Sequence, residues 1–358
     1  MRLAFHAPMK PPDHPVPSGD RTIARALIQA LSHLGAEAQI ASRFRSRDGA
    51  GDAGVQQALL RKADGEVARI LRAADTAGWD GWLTYHNYYK APDLIGPSVS
   101  AAMGIPYLLV EATRAKKRLV GPWADFSRRA EAATDAARVV FCFSERDAVA
   151  LRRDAPAGQR LVPIRPFLTT LPAPAAGGDG TAILSVGMMR EGDKLKSYAL
   201  IADTLARLGS RPWTLAIAGD GPARDSVARL MRPFGARVRF LGALDADAMR
   251  AAFDRADVFL WPGVNEALGM VYLEAQGAGL PVVAQHRPGM IDVLAPEEYP
   301  SVEAGAEGMA AMLAAYLDDG QARRAAGRRA RAHVADSHLL DRAAKTLARG
   351  LTMAGVAA

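Results

Sequence analysis

The sequence predicts an α/β protein of two Rossmann-like domains, each built on a parallel sheet. Three observations predict it. Short apolar runs of strand length alternate with helical segments of about 10–15 residues through both halves of the chain. Residues 171–180, LPAPAAGGDG, have the composition of a linker between the halves. The length, 358 residues, suits two domains of ordinary size.

The elements follow in order. Leu3-Ala4-Phe5 reads as a buried strand, and Pro8 to Pro17 as a Pro-rich loop. A helix runs from about Asp20 to His33, with Ser18 or Asp20 as N-cap and Ile23, Leu27, Ile28 and Leu31 at helical spacing. Gly35 closes it. Ala38 to Ile40 is a strand, and Arg61 to Ala74 an amphipathic helix. Gly81 to Tyr85, Pro106 to Val110 and Arg138 to Phe143 are further strands. The second half restarts at Ile183 to Val186, followed by a helix over about Ser197–Leu208. Strands follow at Thr214–Ala218, Val238–Leu241, Val258–Trp261 and Pro281–Ala284, with helices between them. From about Ala304 onward the chain is helical. The expected domains are 1–170 and 181–340, with 341–358 as a final helix. Two such sheets would face a central cleft, and open α/β sheets bind ligands at the carboxyl ends of their strands.

Composition narrows the function classes. Hydrophobic residues make up 49% and charged residues 23%, a globular balance. No apolar run reaches the roughly 18 residues of a membrane span, and Met1 to Phe5 is too short for a signal peptide. The single cysteine, Cys142, excludes an internal disulfide, and a cytoplasmic location is expected. The net charge is +7. The tract Arg323 to Arg331 lacks interleaved aromatics, which argues against single-stranded nucleic acid as a partner. The cluster Arg114, Lys116, Lys117 and Arg118, beside Val120 and Trp123, is a candidate for peripheral contact with an anionic membrane at its inner face, or with an acidic acceptor. The oligomeric state is left open.

The chemistry concentrates after the strands. Strand 258–261 leads into Pro262 to Met270 and a helix carrying Glu274. Glu266 and Glu274, eight positions apart, are expected on a broadly shared face. Glu274 sits among apolar neighbours and needs donors, which ribose hydroxyls would supply. Alternatively Glu266 caps the helix and Glu274 pairs with an Arg. The helix start at Leu268, Gly269 and Met270 offers free N–H groups to a phosphate. Strand 183–186 ends at Gly187, with Arg190, Lys194 and Lys196 in the loop beyond, cations suited to a diphosphate. Gly219 and Gly221 turn sharply from strand to helix, with Asp220 as a cap.

Together these residues resemble the GT-B glycosyltransferases, and within them the large retaining family numbered four. The resemblance rests on Glu266-x7-Glu274 in NEALGMVYLEAQGAGLPVVA (265–284), the AGDGP turn (218–222) and the basic loop after strand 183–186, and it is strong over about 181–290. It implies a GT-B fold in which Glu266 contacts the donor sugar and Glu274 the nucleotide ribose. Arg190, Lys194 and the helix amides would hold the diphosphate. One departure is plain: Met188, not Arg, follows Gly187, so that Lys194 and Lys196 compete for the second cation. On the N-terminal, acceptor side the family's Gly-Gly loop is reduced to Gly19. His86, at the end of strand 81–85, would face the donor sugar, with His6 the weaker candidate. Tyr88, Tyr89 and Lys90 would line the acceptor side. Glu111 and Ser144-Glu145 also follow strands.

The expected activity is transfer of a hexose-type sugar, with retention, from a UDP- or GDP-sugar to an unidentified acceptor. No permanently bound cofactor and no metal are expected; Asp245-x-Asp247 precedes a helix and reads as capping. Domain closure across the linker would exclude water, and the last helix would return to the N-terminal domain. A sugar-nucleotide epimerase, a phosphorylase and a non-catalytic nucleotide-sugar-binding protein remain open alternatives.

Overall fold

The computed structural model describes residues 1–16, 18–73, 78–266 and 268–356. It divides into two compact units, Met1–Arg165 with Leu340–Ala358, and Pro166–Leu339.

Unit 1 runs β1 (Arg2–His6), α1 (Gly19–His33), β2 (Glu37–Ser42), α2 (Ala53–Arg72), β3 (Gly81–Asn87), α3 (Gly96–Met103), β4 (Tyr107–Ala112), α4 (Ala124–Ala136), β5 (Val139–Cys142), α5 (Glu145–Arg153) and β6 (Arg160–Pro163). The strands form a parallel sheet in the order β2-β1-β3-β4-β5-β6. Its central strands are continuous apolar runs because helices cover both faces: Leu3, Leu83, Leu108, Leu109, Val140 and Phe141 are fully buried. Each such side chain contributes about 1.5–3 kcal/mol of burial. Ser18 caps α1 by accepting from the Arg21 N–H. α2 starts two turns before the predicted Arg61. Asp52 caps it through the Val55 N–H, and its first turn is exposed, so no apolar stripe marks it. Its predicted end at Ala74 lies outside the described residues. α3, α4, α5 and β6 were not predicted: α3, α4 and β6 are short or Ala-rich, and α5 buries only Ala148 and Leu151.

Unit 2 runs β7 (Ala182–Val186), α6 (Asp193–Ala206), β8 (Thr214–Ala218), α7 (Arg224–Met231), β9 (Val238–Gly242), α8 (Ala246–Asp254), β10 (Val258–Leu260), α9 (Met270–Gly277), β11 (Val282–Val283), α10 (Gly305–Asp318) and α11 (Gly320–Ser337). Its parallel sheet has the order β11-β10-β7-β8-β9. The topology reverses beside β7, so the loops after β7 and β10 are neighbours. Asp245 caps α8 by accepting from the Ala248 N–H, as its position predicts.

The run 171–180 does not hang free. Ala175 donates to the Ala278 carbonyl at 2.7 Å. The buried Asp257 carboxylate accepts from the N–H groups of Gly178, Gly180 and Ala182. Its Pro and Gly content serves a fixed path along unit 2, and the chain passes between units at 165/166 and 339/340. The last helix, α12 (Leu340–Met353), packs on α1, β5 and β6 of unit 1. No helix among the described residues is long and apolar enough to cross a membrane.

Candidate functional site

In unit 2 the loops after β7 and β8 interlock. Gly187 donates to the Ala218 carbonyl at 3.0 Å, and Met189 to Asp220 at 3.0 Å. Gly219 and Gly221 have φ of 140° and 151°. A Cβ on Gly219 would land on the Gly187 carbonyl oxygen, and one on Gly221 on that of Met189. These glycines therefore serve a backbone crossing as well as a turn. Asp220 does not cap α7: it accepts from the Gly221 N–H next to it, and Ala223 holds the cap position without a side-chain bond.

The loop after β10 supplies the acidic pair. α9 begins only at Met270, because Gly269 stands at φ 62° in the left-handed region. A Cβ there would come within 2.7 Å of Val293 and 3.1 Å of Tyr272. Glu266 thus precedes the helix, and the shared-face reckoning for Glu266 and Glu274 does not apply, since the chain between them is not helical throughout. Glu266 does not cap α9 either. Its carboxylate accepts from Lys194 Nζ at 2.5 Å and from the Trp261 indole N–H at 3.1 Å. The Lys194 ammonium also lies 5.1 Å from the Trp261 ring centre. Trp261 is fully buried and fills the space over Gly187, where a Cβ would meet it at 2.5 Å.

Glu274 lies on α9, half-buried. Among the described residues no group donates to it, and burial pushes its carboxyl up to about 7. The alternative in which it pairs with an Arg is not what the structure holds. Its neighbour Gln276 is buried and pins the helix to the following segment, donating to Val293 and accepting from the Ala295 N–H. The first-turn N–H groups of α9, at Met270 and Val271, have no intrahelical acceptor.

Lys194 and Lys196 separate in space. Lys194 reaches Glu266, whereas Lys196 pairs with Asp193 on the exposed side of α6. Arg190 is exposed on the loop after β7, and among the described residues its guanidinium makes no hydrogen bond or ion pair. Arg190, Lys194, Gly187, Gly219, Glu266, Leu268, Gly269 and Met270 all belong to loops or helix starts that follow β7, β8 and β10, and Glu274 lies within the helix after β10.

Unit 1 carries the other named residues. Gly19 opens α1, and a Cβ there would meet nothing within 4 Å. Beside it, Asp20 takes His86 Nδ1 at 2.9 Å. His86 stacks on Tyr88 at 4.8 Å between ring centres. Burial pulls the imidazolium down, but the carboxylates of Glu111 and Asp20 outweigh it, and its pKa stands above the ordinary value. His6 is different. It is buried, hydrogen-bonded to the Ser42 carbonyl, and pushed down by burial, as a core histidine is. Trp261 and Asp20 are the members sequence reasoning passed over. An indole N–H and a helix-start carboxylate have no motif of their own; of the two cap candidates, Ser18 takes the role and leaves Asp20 to His86.

The basic cluster of unit 1 is largely spent on internal pairing. Arg114 is almost fully buried between Glu131 and Asp135, and Lys116 meets Asp154. Arg118 and Lys90 lie over the rings of Tyr89 and Trp123 at 5.1–5.8 Å. No group of three or more His, Cys, Asp or Glu suited to a metal occurs among the described residues.

Comparison with known proteins places this geometry. Residues 180–319 match the family model described as Glycosyl transferases group 1. The chain is 36% identical over 103 residues to the sulfoquinovosyl transferase SQD2 of Arabidopsis thaliana, covering 29% of this chain and 19% of that protein. It is 35% identical over 128 residues to the GDP-mannose-dependent monoacylated alpha-(1-6)-phosphatidylinositol monomannoside mannosyltransferase of Corynebacterium glutamicum, covering 34% of each. The chain thus spans a fifth to a third of the length of these curated relatives. Among solved structures, sucrose-phosphate synthase from Thermosynechococcus elongatus superposes with a TM-score of 0.72 at 19% identity over 97% of both chains. The lipopolysaccharide outer core galactosyltransferase WaaB superposes at 0.68 and 16% identity, over 98% of this chain and 99% of that one. The chain has the GT-B fold, and its residues 180–319 match the Glycosyl transferases group 1 domain.

Proposed function

We propose that this protein is a retaining, metal-independent glycosyltransferase that moves a hexose-type sugar from a UDP- or GDP-sugar to a hydroxyl-bearing acceptor. One observation carries the reading. Glu274 is a half-buried carboxylate with no donor among the described residues, kept above its ordinary pKa by that burial. A carboxylate held so is a costly arrangement unless a ligand supplies the hydrogen bonds, and the two hydroxyls of a ribose suit it.

The remaining parts fall into place around that contact. As the sugar–phosphate bond breaks, negative charge grows on the diphosphate leaving group. The Arg190 guanidinium, the Lys194 ammonium and the free N–H groups of α9 are the residues to stabilise it. Lys194 then exchanges its bond to Glu266 for the phosphate. Glu266, still fixed by the Trp261 indole, accepts from sugar hydroxyls instead. Gly187 and Gly219 let the two loops and Trp261 pack closely beneath this site. In unit 1, His86 faces the sugar, with Asp20 holding its other nitrogen, and Gly19 leaves the start of α1 open. The units are read as donor-binding (unit 2) and acceptor-binding (unit 1).

The test is thermal shift and calorimetry with UDP, GDP and their sugars, followed by product analysis. One diphosphate should bind, and Glu274→Ala and Arg190→Ala should each weaken it at least tenfold. NMR of the product should show the donor's anomeric configuration, and transfer should survive chelation by EDTA. Binding of neither diphosphate would refute the proposal, inversion the stereochemical part, and loss with EDTA the metal-independent part. Peripheral contact with an anionic membrane belongs to the same reading, narrowed by the internal pairing of Arg114 and Lys116 to the exposed Lys117 and Val120 beside Arg118.

A further inference from the structure

The sheet of unit 2 carries different side chains on its two faces. Alternation along β7 and β8 turns Ile183, Leu215 and Ile217 to one face, and Ala182, Thr214 and Ala216 to the other. The first three are all but fully buried. On the second face α8 packs against β8, and it too presents methyl groups. Ala248, Ala251 and Ala252 stand at i, i+3 and i+4, with Arg255 following at i+7 on the same stripe. Alanine on both sides leaves the gap between helix and sheet unfilled. A cavity of about 680 Å³ opens there, beside the edge strand β9. It reaches the core residues Leu184 and Ala256, and its volume is that of a small-molecule site, about 300–1,000 Å³.

The lining states what such a molecule must be. Among the described residues, Thr214 is the only uncharged polar side chain that lines it. A sugar, base or nucleotide would bury polar groups there without partners. At the rim stand Arg237, Arg239 and Arg255, all exposed. No acidic side chain lines the cavity, and among the described residues no carboxylate pairs with these three guanidiniums; Arg237 rests on the Trp213 ring, 4.2 Å from its centre. We propose that the cavity binds a single-chain anionic amphiphile, a long-chain carboxylate, with its alkyl chain between α8 and the sheet and its head group on the arginines. Burial of the chain supplies the affinity, and the planar guanidiniums select a carboxylate head over a neutral or cationic one. The occupant is a free monomer and not a bilayer, because the chain must pass the edge strand to reach Leu184. Glu266, Glu274 and Arg190 take no part in the lining, so the inference stands apart from the transferase reading.

The experiment titrates the full chain with cis-parinarate, which fluoresces in apolar surroundings, and then displaces it with laurate or dodecyltrimethylammonium, each below its micelle concentration. Wild type should bind parinarate saturably, and laurate should displace it where the cationic amphiphile does not. Arg239→Glu combined with Arg255→Glu, both at exposed positions, should weaken binding about tenfold or more. Ala252→Leu, which fills the gap, should weaken it at least as much and raise the melting temperature. If Ala252→Leu fails to fold by circular dichroism, the arginine pair still decides. Absence of saturable binding in wild type would overturn the site. So would equal affinity in wild type and the arginine variant, equal displacement by the cationic amphiphile, or displacement by UDP or GDP, which would put the probe elsewhere. Pelleting with phosphatidylglycerol vesicles in place of laurate binding would assign the arginines to a membrane surface and overturn the cavity as well.

Discussion

The two sheets end differently. In unit 2, left-handed or extreme φ at the strand ends falls mostly on glycine: Gly219, Gly221 and Gly269, each at a spot where a Cβ would strike a neighbour. In unit 1 the same strand-end positions put His86 and Glu111 into the left-handed region. The first arrangement builds a loop platform with no side chain in the way. The second holds two polar side chains in a fixed place and stores strain there. On the proposed reading, unit 2 admits the diphosphate along backbone, and unit 1 presents side chains.

The sharpest break of this contrast is Gly219→Ala. Its methyl would meet the Gly187 carbonyl at a φ alanine does not adopt, so unit 2 should lose more than about 4 kcal/mol, a melting drop of roughly 10 °C or more. A drop of under about 3 °C would mean the interlock is slack. Next is Glu274→Gln, which should weaken nucleotide binding about 10–100-fold, as a lost charged hydrogen bond does, while stabilising the free protein. The sign follows from its raised pKa. The unfolded carboxyl ionises near 4.5 and the folded one near 7, so stability falls as pH rises between them. At pH 8 the variant should gain up to roughly 3 kcal/mol, and at pH 4 nothing; a gain at pH 4 equal to that at pH 8 would point to another cause.

A smaller effect is expected in unit 1. His86→Gly relieves the positive φ but gives up the bond to Asp20 and the stacking on Tyr88, so it should destabilise the fold by about 1 kcal/mol or more. Unchanged or raised stability would show that the strain outweighs those contacts. The smallest effect is on membranes: Lys117→Glu should lower pelleting with vesicles containing phosphatidylserine about fivefold, in line with roughly 1 kcal/mol per basic residue. Unchanged pelleting would remove Lys117 from that surface.

The contrast also explains what the sequence disclosed. Strands and the main helices of unit 2 were legible because apolar runs alternate with helical spacing, and the glycines announced their turns. Glu266 and Glu274 were legible through their motif and the helix start near Gly269 through its glycine, but the shared-face reckoning ran helical geometry across a stretch that the left-handed Gly269 leaves outside the helix. The remodelled loop after Gly187 left Lys194 and Lys196 undecided in sequence; only the direction each leaves α6 separates them. In unit 1, strain on His86 and Glu111 leaves no trace in composition or period. Ala-rich α4 and short β6 lacked an apolar stripe, and LPAPAAGGDG looked free because backbone bonding to Asp257 has no sequence signature.

The return of α12 to unit 1 has a consequence for biosynthesis. Leu347 and Leu351 are buried there, and Gly350 lies flat against Phe141 of β5, where a Cβ would collide with the ring. The part of unit 1 made first at the ribosome therefore waits, with that apolar patch uncovered, until all of unit 2 has been translated. α12 emerges only after unit 2. A chain stopped short at residue 339 would be released with a complete second unit and an unfinished, aggregation-prone first one.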